Sequence, residues 1–313
     1  MKELKMNMNI QFFADAITRT DAEALIDVQL SDEIFKGVVA ESMVLKHARK
    51  LANMTSKQTK LRVLDSLPVA GFIDGDTGLK PTSKVDWSNV YLNAEEIAVI
   101  VPIPENVLDD ASYDIWTEIK PLIVQEFANK IDGAVFFGTG APTSWGAGLV
   151  SKIRSAQNNV AYNANDSLYA RIDKTMAKVE EDGFVANAIL GSVKLKSGFR
   201  NMVDKNGQPI TGTEIDSIAR DYVTNGSWDD SVSFITGDFN NLVYAIRQDV
   251  TYKVLDQAVI TDASGKVILN LAQQDMVALR VKMRLAYAVP NGVNALNPDE
   301  GTRFPFALAE AQA

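Results

Sequence analysis

Residues 87–148 read WSNVYLNAEEIAVIVPIPENVLDDASYDIWTEIKPLIVQEFANKIDGAVFFGTGAPTSWGAG. The period of the apolar residues changes within this stretch, and the reading of the chain follows from that change. Val90 and Leu92, then Ile97, Val99, Val101 and Ile103, alternate with outward positions, as in a strand that buries one face. Pro102 and Pro104 lack backbone donors, so the ladder is expected to stop there. From Asp114 to Phe137 the apolar residues fall at Ile115, Ile119, Leu122, Ile123, Phe127, Ile131, Ala134 and Val135. That is a 3.6-residue stripe, and it predicts one helix roughly 36 Å long at 1.5 Å per residue. Asp110, Ser112 and Asp114 offer N-caps, and Gly138 can close the helix in the left-handed conformation. Pro121 predicts a bend within the helix. A helix of this length exceeds what one core needs, so something must run along it.

Working outward, residues 21–54 carry an imperfect amphipathic trace (Leu25, Leu30, Ile34, Val38, Leu45, Leu51) and read as mainly helical. From Lys60 to Trp87 the character changes. A strand with Leu61 and Val63 meets Pro68, then a Gly/Asp cluster over Gly71, Asp74, Gly75, Asp76 and Gly78, then Lys80-Pro81, and a strand returns from Val85. An isolated two-stranded excursion is marginal in water. Its apolar members need a surface, either on a neighbouring subunit or on the chain's own body. Residues 145–265 read as a compact α/β unit. Its predicted elements are a helix Leu168 to Glu181 capped by Asp166 or Ser167 and ended by Gly183, a strand at Ala188-Ile189-Leu190, and a short helix with Phe199 and Met202. A Lys205-Asn206-Gly207 turn and strands at Ser233 to Thr236 and Val250 to Leu255 complete it. Residues 273–290 return as a strand beside the long helix, and Asn291 to Ala313 reads as a loose tail.

Three segments in this order resemble the major capsid proteins of tailed bacteriophages, the Hong Kong 97-type capsid fold. They are Ile131-Asp132-Gly133 with the loop Gly138 to Pro142, then Phe234-Ile235-Thr236-Gly237-Asp238-Phe239, then the strand Asp275 to Arg280 continuing through Arg284 to Val289. With arm and loop included, the resemblance covers about residues 1–290. It implies an α+β fold with an N-terminal arm (1–33), a peripheral domain (34–59, and 88–144 with the long spine helix), an extended loop (60–87), an axial domain (145–265), a peripheral return strand (266–290) and a C-terminal tail (291–313).

Composition sets the outer limits. The chain has 313 residues, 46% hydrophobic and 23% charged, which suits a folded globular protein. It has no cysteine, which excludes disulfides, thiolate metal sites and cysteine nucleophiles and suits a reducing cytoplasm. The longest apolar run, Ile97 to Pro104, is too short to cross a bilayer, and Asn7, Asn9 and Gln11 interrupt any signal-peptide core. A net charge of −9 argues against a dedicated nucleic-acid binder.

Catalytic readings are weak. His47 is the only histidine, with no nucleophile elbow to serve, and reads as a surface or interface residue. Asp74-Gly75-Asp76-Thr77-Gly78 would put Val85 where a calcium loop needs a bidentate glutamate. The Gly138–Gly148 loop follows a helix and lacks the ending of a phosphate cradle, so it reads as a hinge. No cofactor or metal is expected.

The resemblance implies a non-enzymatic shell subunit that pairs with itself in hexamers and pentamers. It would meet scaffolding protein and portal, lie in non-specific proximity to packaged DNA, have no membrane partner, and reside in the virion after assembly in the bacterial host cytoplasm. An encapsulin-type compartment is the alternative, and a soluble α/β enzyme a more distant one. Asp74, Asp76, Lys80 and Lys84 are the candidate inter-subunit residues of the loop. Some members of the family join a loop lysine to a neighbour's asparagine with a glutamate as base; here those positions fall on Asp275 and Lys282, so no covalent mesh is expected. Leu4 to Ala14 resembles an N-terminal extension that a host ribosomal-processing protease removes, with the cut between Ala14 and Asp15. The alternative is that Phe12 and Phe13 anchor the arm to a neighbour.

Overall fold

The computed structural model describes residues 34–310 apart from 69, 71, 73–81, 111–114, 163–165, 204–207, 209–217, 225 and 263. Helical residues 34–41 (α1) lead through Ser42 into α2 (Met43–His47) and a two-residue strand, β1 (Arg49–Lys50). β2 (Gln58–Leu64) and β3 (Trp87–Asn93) form an antiparallel ribbon, pairing Gln58 with Asn93 and Leu64 with Trp87. β4 (Glu95–Pro104) follows, so the single strand expected from Val90 to Ile103 is two strands broken at the buried Ala94. The ladder runs past Pro102, which pairs with Ala278, and stops at Pro104, paired with Met276, the last residue of the strand. β4 is an edge strand, where a missing N–H can face away from the partner at no cost.

After α3 (Glu105–Asp110) the long helix α4 (Ile115–Asp132) runs on through Pro121 and ends in one π-helical turn at Gly133–Phe137. Gly138, at φ 73°, closes it as expected, and its N–H returns to the carbonyls of Ala134 and Gly133. The chain then doubles back so tightly that a Cβ on Gly148 would sit 2.4 Å from the Gly138 nitrogen. Only glycine fits that crossing, which leads into α5 (Leu149–Ser155).

β5 (Asn159–Val160), α6 (Leu168–Glu181), β6 (Ala188–Ser192), α7 (Leu195–Arg200), β7 (Ala219–Val223) and β8 (Val232–Gly237) follow. The helix α6 has the predicted bounds, with the Ser167 hydroxyl accepting from Ala170 N–H and Gly183 at φ 78° beyond its end. Lys205-Asn206-Gly207 lies outside the described residues. β9 (Val243–Leu255), a small hairpin of β10 (Val259–Thr261) and β11 (Val267–Asn270), β12 (Met276–Ala288) and β13 (Phe306–Glu310) complete the chain.

Two sheets organise these strands. The first has the order β1-β9-β12-β4, the second β5-β13-β8-β6-β7. The strand expected at Val250 to Leu255 therefore leaves the α/β unit and joins the first sheet beside β12. Its first four residues, Val243 to Ile246, are buried on both faces, because the long-helix layer covers one side and the ribbon root the other. The expected loose tail is also corrected. β13 lies between β5 and β8, and Phe304, Phe306 and Leu308 are buried. A Cβ on Gly237 of β8 would strike the Pro305 carbonyl at 2.4 Å, so the C-terminal segment packs directly on that glycine.

One continuous core joins the layers: Phe127, Ile131 and Val135 of the long helix, Leu279, Val281, Met283 and Leu285 of β12, and Leu190, Ile235 and Leu308 of the second sheet. Each such side chain contributes about 1.5–3 kcal/mol on full burial.

Candidate assembly surfaces

Three features fix how the extended parts leave the body. The first is the end of the long helix. Asp132 is fully buried, yet its carboxylate meets α2: Oδ1 accepts from the Ser42 hydroxyl (2.6 Å) and Val44 N–H (3.1 Å), and Oδ2 from Met43 N–H (3.0 Å). The side chain thus caps the N-terminus of a helix 90 residues earlier in the chain, and Ser42 itself accepts from Leu45 N–H. Burial pushes the Asp132 carboxyl up to about 6, against the opposing pull of those three hydrogen bonds. The Ile131-Asp132-Gly133 step was legible in the sequence; its partner across the fold was not.

A second link lies at the other end of α2. His47 Nε2 is 2.6 Å and Lys46 Nζ 2.8 Å from Asp221 Oδ2 on β7, and the imidazole tilts over Phe239. Burial pushes the Asp221 carboxyl upward, but the Lys46 and His47 contacts prevail and hold it below the usual range. The His47 side chain, only 13% exposed, ties the N-terminal helices to the second sheet.

The third feature is the ribbon. The loop after the long helix is stapled to its root: Trp145 Nε1 donates to Asn93 O (2.8 Å), Asn93 Nδ2 to Ser144 O, and Ser144 Oγ to Glu95 Oε1. Leu61, Val90 and Leu92 pack with Met54, in the segment between β1 and β2, and with Ala245, Ala286 and Ala288 of the first sheet. The reading in which the excursion packs on the chain's own body holds for its inner face. Trp87 and Tyr91 on the outer face are 62% and 50% exposed.

Of the loop residues singled out in the sequence, Asp74, Asp76 and Lys80 lie outside the described residues, as do Ala14 and Asp15 of the arm. Lys84 is exposed and pairs with Asp86 at 2.7 Å, its ammonium pKa raised by that contact. Asp275 and Lys282 are not brought together: Asp275 adopts φ 49° and its carbonyl accepts from Glu105 N–H, whereas Lys282 Nζ lies 3.7 Å from Glu96.

Sequence reading missed a polar node beneath the C-terminal strand. The buried Asp182 carboxylate accepts from Asn158 Nδ2, Asn297 Nδ2 and Phe304 N–H. Arg303, 1% exposed, donates to the Asn291 and Asn297 carbonyls and Asn291 Oδ1. The signal was present in the apolar run Phe304 to Ala309, preceded by turn-forming asparagines. Among the described residues no cluster of acidic and histidine side chains suits a metal, and no helix is long and apolar enough to cross a membrane.

Comparison with known proteins gives these surfaces a context. The curated major capsid protein of Staphylococcus phage 80alpha is 24% identical over 305 residues, spanning 90% of each chain. A solved structure from Microbacterium phage Oxtober96 is 37% identical with a TM-score of 0.77, covering 95% of this chain and 100% of that one. Another, from Mycobacterium phage Bobi, is 34% identical with a TM-score of 0.76, covering 87% and 91%. The model of the Phage capsid family matches residues 22–296, and the chain belongs to that family.

Proposed function

We infer that this chain is the major head protein of a tailed phage, a self-assembling subunit of the icosahedral shell that encloses the genome. The observation that carries the reading is the family match across nearly the whole chain. The ribbon supports it, because an exposed Trp87 and Tyr91 on a projecting element make an apolar face that a neighbour can cover.

The Hong Kong 97-type description is part of the proposal. In it α4 is the spine helix, the first sheet belongs to the peripheral domain, the second sheet with α5, α6 and α7 to the axial domain, and the ribbon is the extended loop. Hexamers and pentamers of the chain, scaffolding and portal contacts, and assembly in the host cytoplasm follow from the same reading. The purified protein, viewed by negative-stain electron microscopy, is expected to form closed shells or large rings. A small monodisperse oligomer under all conditions overturns it.

Processing of the arm belongs to the same proposal. Two aromatics followed by a small residue, Phe12-Phe13-Ala14, suit a protease cleft. Intact-mass measurement of virions from the natural host is expected to give a chain beginning at Asp15, and a full-length chain refutes the cut.

A further inference from the structure

The first sheet has one face on the core and one that the ribbon root covers only in part. Along β12, Leu279, Val281, Met283 and Leu285 point inward, and Arg280, Lys282 and Arg284 point to the other side. Lys253 of β9 stands directly opposite Arg280, and Arg247 lies farther along β9 beside Met54. These five cations crowd one open sheet face of a protein whose net charge is −9.

Acidic company is scarce there. Glu96, paired across from Arg284, reaches only Lys282, and at 3.7 Å. Asp249, exposed at the irregularity in β9, accepts from its neighbour Val250 N–H. Among the described residues no carboxylate pairs with Arg247, Lys253, Arg280 or Arg284, and the buried Nε atoms of Arg247 and Arg284 have no hydrogen-bond partner. Alternate residues on a strand lie about 7 Å apart, so the cations of β12 form a row rather than a point. A row of unneutralised charge on an open face fits an extended acidic segment.

The chain supplies one. Residues 15–33 contain Asp15, Asp21, Glu23, Asp27, Asp32 and Glu33 against the single base Arg19, a net charge of −5. The loop segment 73–81, with Asp74, Asp76 and Lys80, carries only −1. The acidic segment ends at Ile34, buried in the core, and α1 packs on the long helix, where a Cβ on Gly37 would meet Val124 at 3.0 Å. It therefore joins the body on the helix side of the first sheet, opposite the cationic face. Nineteen residues span up to roughly 60 Å when extended, enough to leave the subunit.

We propose that the cationic face built by Arg247, Lys253, Arg280, Lys282 and Arg284 is the docking surface for the acidic segment 15–33 of a second copy of this chain. The inference rests on the shell-forming reading and names the contact that joins subunits.

The absence of cysteine makes a direct test available. Asp27→Cys and Lys253→Cys, combined in one chain and oxidised in assembled particles, are expected to give a reducible ladder of multimers on non-reducing SDS gels. Neither single variant should give it. Thiols lost with the chain still running as a monomer mean the segment folds back on its own subunit, which overturns the proposal. A ladder from Asp76→Cys with Lys253→Cys, and none from the arm pair, assigns the face to the loop and overturns it too.

Charge reversal provides a second readout. Lys253→Glu with Arg280→Glu should lower particle yield at least tenfold while circular dichroism of the subunit stays native, and Asp21→Lys with Asp27→Lys should restore the yield. If the reversed face instead leaves shells intact and only reduces their DNA content, the face binds phosphate and the proposal fails. Failure of the unaltered chain to form shells at all would sink the shell reading. Shells with neither ladder nor charge rescue would sink this inference alone.

Discussion

At the scale of single residues, Asp132 sets an unusual balance. Its carboxylate is removed from water to cap α2, and burial outweighs the hydrogen bonds, raising its pKa from 3.8 to about 6. The folded chain therefore binds a proton between those values that the unfolded chain releases. The contribution of this group to stability is full below about 4 and is lost as pH rises through about 6, a swing on the order of 3 kcal/mol. Asp132→Asn removes the titration but keeps one acceptor for Ser42 and Val44. The melting temperature of the native chain minus that of Asp132→Asn should rise as pH falls from 7 to 4. A flat difference would show that the carboxyl is unshifted, and a falling one that it is stabilised as an anion; either overturns the assignment. Asp132→Ala at pH 7, which leaves Met43 and Val44 N–H groups without their cap, should cost about 1–3 kcal/mol in denaturant unfolding.

At the scale of elements, β13 decides whether the second sheet exists. It contributes Phe306 and Leu308, with Phe304 just before it, and each is worth about 1.5–3 kcal/mol buried. Their sum rivals the 5–15 kcal/mol that separates folded from unfolded domains. Deletion of residues 304–313 should give an insoluble or molten chain; a soluble product with a native cooperative transition would refute the role assigned to this strand. The same element shows where sequence reading failed. Phe304 to Ala309 is a short apolar run behind a Pro- and Asn-rich stretch, and only contact with β8 and β5, distant in sequence, makes it a central strand. By contrast the bounds of α6 were legible to the residue, because local hydrogen bonds fix both ends, and the structure chose Ser167 over Asp166 as its cap.

At the scale of the whole molecule, the proposed role of the ribbon in shell closure makes a separate prediction. Replacing Gly71 to Lys84 with a tight turn keeps the β2–β3 pairing and the root packed on Met54, Ala286 and Ala288. The shortened chain should stay folded and soluble but fail to close into shells, as judged by electron microscopy; normal particles would contradict this. Covalent joining between subunits should be absent. Asp275 offers no amide to displace, and Lys282, beside Glu96, is a cation where a base is needed. Mature particles boiled in SDS should run as one monomer band, and a ladder of higher bands would count against it.

The sequence by itself determined what depends on local period and local caps: the long helix with its left-handed Gly138 stop, the alternating faces of β4, the helix α6, and the ordered segments by which the family could be recognised. Tertiary structure alone decided which strands share a sheet, because pairing joins residues far apart in the chain and leaves no local mark. It sent β9 to the sheet of β12, set β13 between β5 and β8, let Pro102 and Pro104 remain paired on an open edge, and joined Asp132 to a helix 90 residues away. It also gathered cations from two strands onto one face, a charge density that an acidic composition conceals, since net charge is a sum and a sheet face is a location.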